Sequence, residues 1–586
     1  MTDAFPMAET EVLIIGTGPS GAAAASLLST YGIDNIVVNK YRWTAHTPRA
    51  HITNQRTMEV LRDLGVEPEA QSLAAPQAQM GENTYCTSLV GEELGRLKSW
   101  GTHPRRQGDY DLASPTHMCD LPQDLLEPLL VKTAAVRGSQ VRFYTEYLSH
   151  VQDEEGVTTT LKDRLTGHTY QVRSKYLIGA DGANSKVAED IGLPLEGEMG
   201  KSGSMNLLFQ ADLSRFVAHR PSVLYWVIQP GSDVGGLGIG VVRMVRPWNR
   251  WLAIWGYDLE QGPPELTTEE ATAIVHKLIG DDSIPVTIES TSTWTVNECW
   301  ASENTRGRVF CMGDATHRHP PTNGLGSNTS IQDAYNLCWK LALVLKEQAA
   351  PSLLESYDAE RSPVAEQIVK RANKSLDDFP PILKALGLSD TLNAEQMRRN
   401  MAARKEATPE AAQQRAALQA AIANTDYIYN AHGVEMNMRY ESCAVVPDGT
   451  PDPGFERDKE LYQQNSSRPG SHIPHVWLSR NGSQVSTLDL CGSGKFTLIT
   501  GIGGEAWVEA AKAAEKEFGI ELPVHIIGPG QTYEDPYGDF ARVRETQETG
   551  ALLVRPDSIV GWRADAVSDS ATADLTHAVA SILGRG

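Results

Sequence analysis

The sequence predicts an α/β protein in which a Rossmann-like nucleotide domain is interleaved with an antiparallel-sheet domain and followed by a smaller α/β unit. Residues 11–15 form a short apolar run, which Gly16-Thr17-Gly18-Pro19-Ser20-Gly21 joins to an Ala-rich helical stretch through Leu28. That is G-x-G-x-x-G between a strand and a helix, the context a dinucleotide fingerprint requires. Two further apolar runs, 176–180 and 309–312, end in Asp181-Gly182 and Gly313-Asp314, and a parallel sheet places such strand ends at its ligand crevice. Between these runs, residues 204–257 alternate polar and apolar with many aromatics, as an antiparallel sheet does.

Each piece of the nucleotide domain has a chemical reading. Gly16 permits the tight turn, Gly18 lets backbone approach a pyrophosphate, and Gly21 allows close helix packing, with Pro19 and Ser20 opening the helix. The pyrophosphate then meets the positive helix N-terminus. The second strand, 36–38, ends in Asn39 and Lys40 where an acidic residue is expected, although an amide still hydrogen-bonds ribose hydroxyls. Asp314 is placed to accept from sugar-like hydroxyls, and the loop from Gly324 through Gly326 to Asn328 to lay backbone amides against a ring system. Ile331, Tyr335, Cys338 and Trp339 then recur at helical spacing.

The loop at 48–56 is dense in polar groups: Arg49 and Arg56 are candidates to meet phosphates, and His51 is a candidate proton acceptor near neutral pH. Residues 80–118 read as irregular, 120–135 as a helix with Gln123 in its first turn, and 157–172 as a hairpin. In the alternating region Tyr225, Trp226, Trp248, Trp251 and Trp255 are expected to wall an aromatic pocket or fill the core, with Arg243 facing a substrate oxygen. The Gly-rich piece 235–240 lacks a following helix and reads as strand backbone near a ligand. Residues 344–438 are helix-rich, 447–457 form a Pro/Gly/Asp-rich linker, and strand and helix patterns alternate from 496 to 554.

Composition bounds the function. The 586 residues require two to four domains. A net charge of −22 argues against nucleic acid or anionic membrane as partner. Seven cysteines without C-x-x-C suggest a reducing compartment. With no signal pattern and no membrane-length apolar stretch, a cytoplasmic location is expected, and no metal is expected.

Together, residues 16–21, Ala180-Asp181-Gly182 with Ser185, and Gly313-Asp314 resemble the FAD-dependent aromatic hydroxylases of the para-hydroxybenzoate and phenol hydroxylase class. The resemblance extends over the whole chain through residues 48–62, 222–256 and 308–336, most closely to the bacterial dichlorophenol monooxygenases, then the hydroxybiphenyl monooxygenases. It implies FAD, NADH or NADPH as transient reductant, and O2, with a C4a-hydroperoxyflavin hydroxylating a small phenol ortho to its oxygen. It implies a diphosphate at Gly16–Gly21, Asp181 at the flavin crevice, a ribityl chain at Asp314, and Gln123 and Arg49 near the flavin. Pro321, Gly326 and Asn328 would lie beside the isoalloxazine, Pro320 would help keep the pocket dry, and Arg243 would offer charge to the phenolate. The implied domains are FAD-binding (1–80, 119–195, 300–375), substrate-binding (81–118, 196–299), helical (376–446) and thioredoxin-like (447–586), in a homodimer or homotetramer. The last domain holds Cys491 alone, which makes disulfide exchange an unsuitable role. A flavin disulfide reductase or a flavin-binding sensor remains the alternative of another class. Phenol-stimulated NADH consumption separates these readings.

Overall fold

The computed structural model describes residues 7–231 and 238–586, so half of the Gly-rich piece, 235–237, lies outside the described residues. The first sheet is built on the strand Met7–Ile15, with Asn35–Asn39 and Thr169–Gly179 parallel on either side. Gln140–Phe143 and Val309–Cys311 extend it, again in parallel. Val12, Leu13, Ile14 and Ile15 are at most 5% exposed, because both faces of the sheet are covered. Helices Pro19–Thr30, Gln123–Val136 and Gly326–Leu345 pack together on one face, where the run Ala22 to Ala25 lets them approach closely.

The second sheet runs in the order His317–Arg318, Thr287–Ala301, Leu195–Gln210, Arg250–Tyr257, Ile239–Arg246, Ser222–Ile228, Glu82–Cys86, Glu93–Lys98. All neighbours are antiparallel except Ser222–Ile228 against Glu82–Cys86. Residues 80–118 therefore contribute two strands and the helix Pro104–Ala113 rather than irregular chain. The polar sequence Glu82-Asn-Thr-Tyr-Cys gives no apolar alternation, which hid the first of them. The helix expected from 120 begins at Gln123, and Asp120 instead pairs with Ile52 in a short three-stranded sheet.

The C-terminal unit centres on Thr497–Gly501, parallel to Val524–Ile527 and antiparallel to Ala551–Val554, which Val560–Ala564 extends. Helices Ala506–Phe518 and Ala571–Ile582 complete a thioredoxin-like arrangement. All seven cysteines are free, and burial pushes the Cys491 thiol up.

A buried ionic cluster fastens this unit to the rest. Glu360 accepts from Lys340 and from Arg555 Nη2, each at 2.9 Å, and Arg555 meets Asp557 at 2.6 Å. Burial alone would raise the Glu360 carboxyl, but Arg555 and then Lys340 outweigh it and hold it well below the usual carboxylate range. Glu360→Gln leaves buried Lys340 without its counter-charge and Arg555 with Asp557 alone, and is expected to lower unfolding stability by about 3–5 kcal/mol. Denaturant titration checks this; an unchanged midpoint would show that the cluster carries no net stabilisation.

Candidate active site

The motif-bearing turns meet at the carboxyl ends of the parallel strands. Gly16 has φ +109°, and a Cβ on it would fall 2.1 Å from the Ala180 carbonyl oxygen. A Cβ on Gly313, at φ +64°, would fall 2.8 Å from Ser20 Oγ. Only glycine lets these turns close on one another. The helix Pro19–Thr30 has no side-chain cap at Gly18, so its first N–H groups stay open for an anion.

Around this cradle lie groups suited to a dinucleotide. The Asn39 amide donates to Thr17 Oγ1 at 2.5 Å and to the Trp43 carbonyl at 3.2 Å, and Lys40 and Arg49 are exposed cations. Gln123 Nε2 donates to Glu127 Oε1 at 2.6 Å, and Glu127 Oε2 accepts from the Ala45 amide at 2.6 Å. Glu127, which sequence reasoning missed, is buried 3.9 Å from where a Gly18 Cβ would stand. Burial pushes its carboxyl up, which suits a position beside a diphosphate.

Asp314 is exposed, and its carboxylate makes no bond among the described residues. Its turn is ordered from behind by Asp333, which accepts from the Gly313 amide at 3.0 Å, His317 Nε2 at 2.9 Å and Arg361 Nε at 2.7 Å. His319 is lowered to about 4 by burial and then by His317, so its ring faces Gly326 uncharged. A glycine cradle, an open helix N-terminus and an unpaired carboxylate fit the diphosphate and polyol of FAD. Asp314→Ala is expected to purify largely colourless; a normal flavin absorbance would remove Asp314 from cofactor binding.

A second cluster faces this crevice from the loop at 48–53. His51 Nδ1 lies 2.7 Å from Asp120 Oδ2, and the His51 carbonyl accepts from Leu121 N at 2.7 Å. Arg243, 1% exposed, donates to the carbonyls of Pro48 and, at 3.2 Å, Arg49, with Nη2 4.0 Å from Asp120 Oδ1. Asp120 Oδ1 and Arg243 Nε and Nη2 are buried without hydrogen-bond partners. Asp120 Oδ1 and Arg243 Nη2 thus face each other as an ion pair at 4.0 Å without a hydrogen bond between them. Burial lowers Arg243 to about 10, and burial followed by Arg243 lowers His51. Asp120 had no signal in the sequence, because its importance comes from a two-residue strand pairing.

Two site expectations are corrected, those for Tyr225 and Arg56, while the side chains of Asp181 and Asn328 are found bonded within the protein. Tyr225 lies on the sheet face opposite Trp226 and Arg243: it is fully buried, its hydroxyl donates to the Arg220 carbonyl at 2.8 Å, and its ring packs on Trp251. Strand alternation forbids neighbours from sharing a face. Asp181 is turned to the helix Lys186–Asp190, accepting from the Lys186 amide at 2.8 Å and from Ser185 Oγ. Asn328 uses its amide within the protein, donating to the Ile52 and Gly324 carbonyls at 2.8 and 2.6 Å and accepting from Asn54 N at 3.0 Å. Arg56 meets no phosphate site; it is buried against Glu59 at 2.9 Å. Trp226 lies on the face opposite Tyr225, with Nε1 donating to Tyr429 OH at 2.8 Å and its ring against Phe379. Pro320 is buried, and Pro321 and Gly324 lie in the turn before the helix Gly326–Leu345.

Known proteins share this construction. A family model described as an FAD binding domain matches residues 9–372, and one described as an aromatic-ring hydroxylase C-terminal region matches 466–586. The chain is 64% identical over 583 residues to a 2,4-dichlorophenol 6-monooxygenase of Delftia acidovorans, covering 100% of both chains. It is 51% identical to a phenol 2-monooxygenase of Pseudomonas sp., covering 96% of this chain and 91% of that one. The solved flavin-dependent monooxygenase PieE, in complex with FAD and substrate, superposes with TM-score 0.95 at 45% identity, covering 99% of this chain and 100% of that one. With its glycine cradle, its unpaired Asp314 carboxylate and full-length similarity of this order, the chain belongs to the FAD-binding aromatic-ring hydroxylases and is an FAD-dependent monooxygenase.

Proposed function

We propose that this enzyme hydroxylates a chlorinated phenol ortho to its oxygen, giving a catechol. The observation that supports this most is the His51–Asp120–Arg243 cluster, in which only His51 keeps exposed surface, since a phenol needs one group to take its proton and another to hold its negative oxygen. Bound FAD, reduced by NADH or NADPH, supplies the activated oxygen from O2.

The chain's own residues prepare the ring for attack. Asp120 accepts from His51 Nδ1–H, which leaves the Nε2 lone pair to receive the phenolic proton. Arg243, with two nitrogens unpaired, attracts the phenolate that results. Electron density pushed into the ring favours electrophilic transfer at the ortho carbon. Trp226 and Pro320 are assigned to the apolar wall that keeps water out, while Asp314, Gly324 and Gly326 hold the cofactor in front of it. Chlorine substituents acidify a phenol, and the 64% identical relatives are named for 2,4-dichlorophenol. The mostly buried free thiols fit a cytoplasmic enzyme.

The test is a panel of phenol, alkylphenols, 2-hydroxybiphenyl and chlorophenols, reading NAD(P)H consumption and catechol formed. Highest kcat/KM with a chlorophenol supports the assignment. Preference for phenol or 2-hydroxybiphenyl would overturn the substrate class.

A further inference from the structure

The helix Gln55–Asp63 continues directly from the His51 segment, and Arg56, Glu59, Arg62 and Asp63 are its charged residues. The C-terminal unit holds each of them. Arg56 Nη2 donates to the Asp557 carbonyl at 2.6 Å, and Arg62 Nε donates to Asp489 Oδ1 at 2.7 Å. Asp63 Oδ1 accepts from the Ser493 amide at 2.7 Å, and a Cβ on Gly492 would stand 2.1 Å from that oxygen, so the C-terminal loop closes on it at backbone range. His472 Nε2 lies 3.0 Å from Glu59 Oε2, a polar contact set off the ring's hydrogen-bond direction. Glu59 is also held by Arg56 at 2.9 Å and, through Oε1, by Ser114 at 2.7 Å.

At its other end the same helix enters the active site. Asn54 caps it, accepting from the Thr57 amide at 3.0 Å. The Asn328 bonds described above then lock Ile52 to the Gly324 turn, while Ile52 and Thr53 pair with Asp120 and Cys119. Arg56 and Glu59 are at most 5% exposed. Charges on a helix ordinarily face water; these are desolvated against partners of another domain, so the helix has one seating, and a change of seating moves the His51 strand.

We propose that the C-terminal unit is a positioning clamp for the active site: through His472, Asp489, Ser493 and the Asp557 carbonyl it seats the helix that sets His51 against Asp120 and the Gly324 turn. This rests on His51 being the proton acceptor. His472 acts through Glu59 and is a positioning residue. Misplacement of a reacting group by about 1 Å costs as much as about 100-fold in rate, and a misplaced phenol lets reduced flavin discharge oxygen as H2O2.

The experiment uses the full-length holoenzyme carrying His472→Leu, His472→Gln or Asp489→Ala. It reads FAD content, amide hydrogen exchange over residues 52–63, and catechol formed per NAD(P)H consumed. His472→Leu is expected to keep its FAD, exchange faster over 52–63, and form about tenfold less catechol per NAD(P)H, the balance appearing as H2O2. His472→Gln is expected to recover most of the loss, and Asp489→Ala to show a smaller change in the same direction. Unchanged exchange over 52–63, or faster exchange with full coupling, overturns the clamp. Should His472→Leu fail to accumulate, the same two readings on Asp489→Ala decide it. An uncoupled His472→Leu beside a fully active His51→Ala would support the clamp and remove His51 as the base.

Discussion

His51→Ala is expected to lower kcat/KM for hydroxylation by about 10²–10³-fold while FAD stays bound, because it removes the acceptor of the phenolic proton and touches none of the cofactor cradle. The pH profile carries the same expectation with a definite sign. Burial, then Arg243, lower the His51 pKa from 6.5, so the neutral, proton-accepting ring persists into mildly acidic solution. Activity should be flat above that range and fall as pH drops through the lowered value, where the imidazole protonates. Asp120 opposes the lowering; Asp120→Asn should therefore move the acid limb to still lower pH and reduce the plateau. An acid limb that does not move would mean that another group titrates in turnover.

Gly16→Ala is expected to weaken cofactor retention. Its Cβ would fall 2.1 Å from the Ala180 carbonyl oxygen, and φ +109° is already outside the range an L-residue adopts without strain. Relief requires the first and second motif strands to separate, which opens the turn that holds the diphosphate. Strain of this kind costs about 1–3 kcal/mol, enough for a loss of FAD affinity of about tenfold or more. Absorbance near the flavin maximum after gel filtration, with circular dichroism to verify folding, reads the outcome; an unchanged FAD ratio would contradict the close approach.

The cofactor cradle was legible in the sequence because its parts are local. A glycine pattern between a strand and a helix fixes both a turn and an anion site, and Gly313-Asp314 after an apolar run fixes a second turn. The long antiparallel strands were legible from period-two alternation wherever apolar residues marked one face, and Glu82–Cys86 was not, because its residues are polar on both faces. Orientation was the harder property. Asp181, Asn328 and Arg56 carry the right groups in the right stretches, yet their polar atoms are satisfied by helix N–H groups, backbone carbonyls and Glu59, none of which a linear pattern reveals. Tyr225 and Trp226 were both assigned to one pocket, although strand geometry allows only one of two neighbours on a face. Asp120 and His472 act through partners distant in sequence, and only folding brings Asp120 to His51 and His472 to Glu59.

The central claim is that this chain brings a phenol and FAD-activated oxygen together beside a half-buried histidine. It is tested most directly by turnover of 2,4-dichlorophenol under 18O2, with the catechol analysed by mass spectrometry. The account predicts one 18O atom per product, placed ortho to the original hydroxyl, with one NAD(P)H consumed for each. A product whose new oxygen comes from water, or NAD(P)H consumption that yields only H2O2 with every phenol offered, would contradict it.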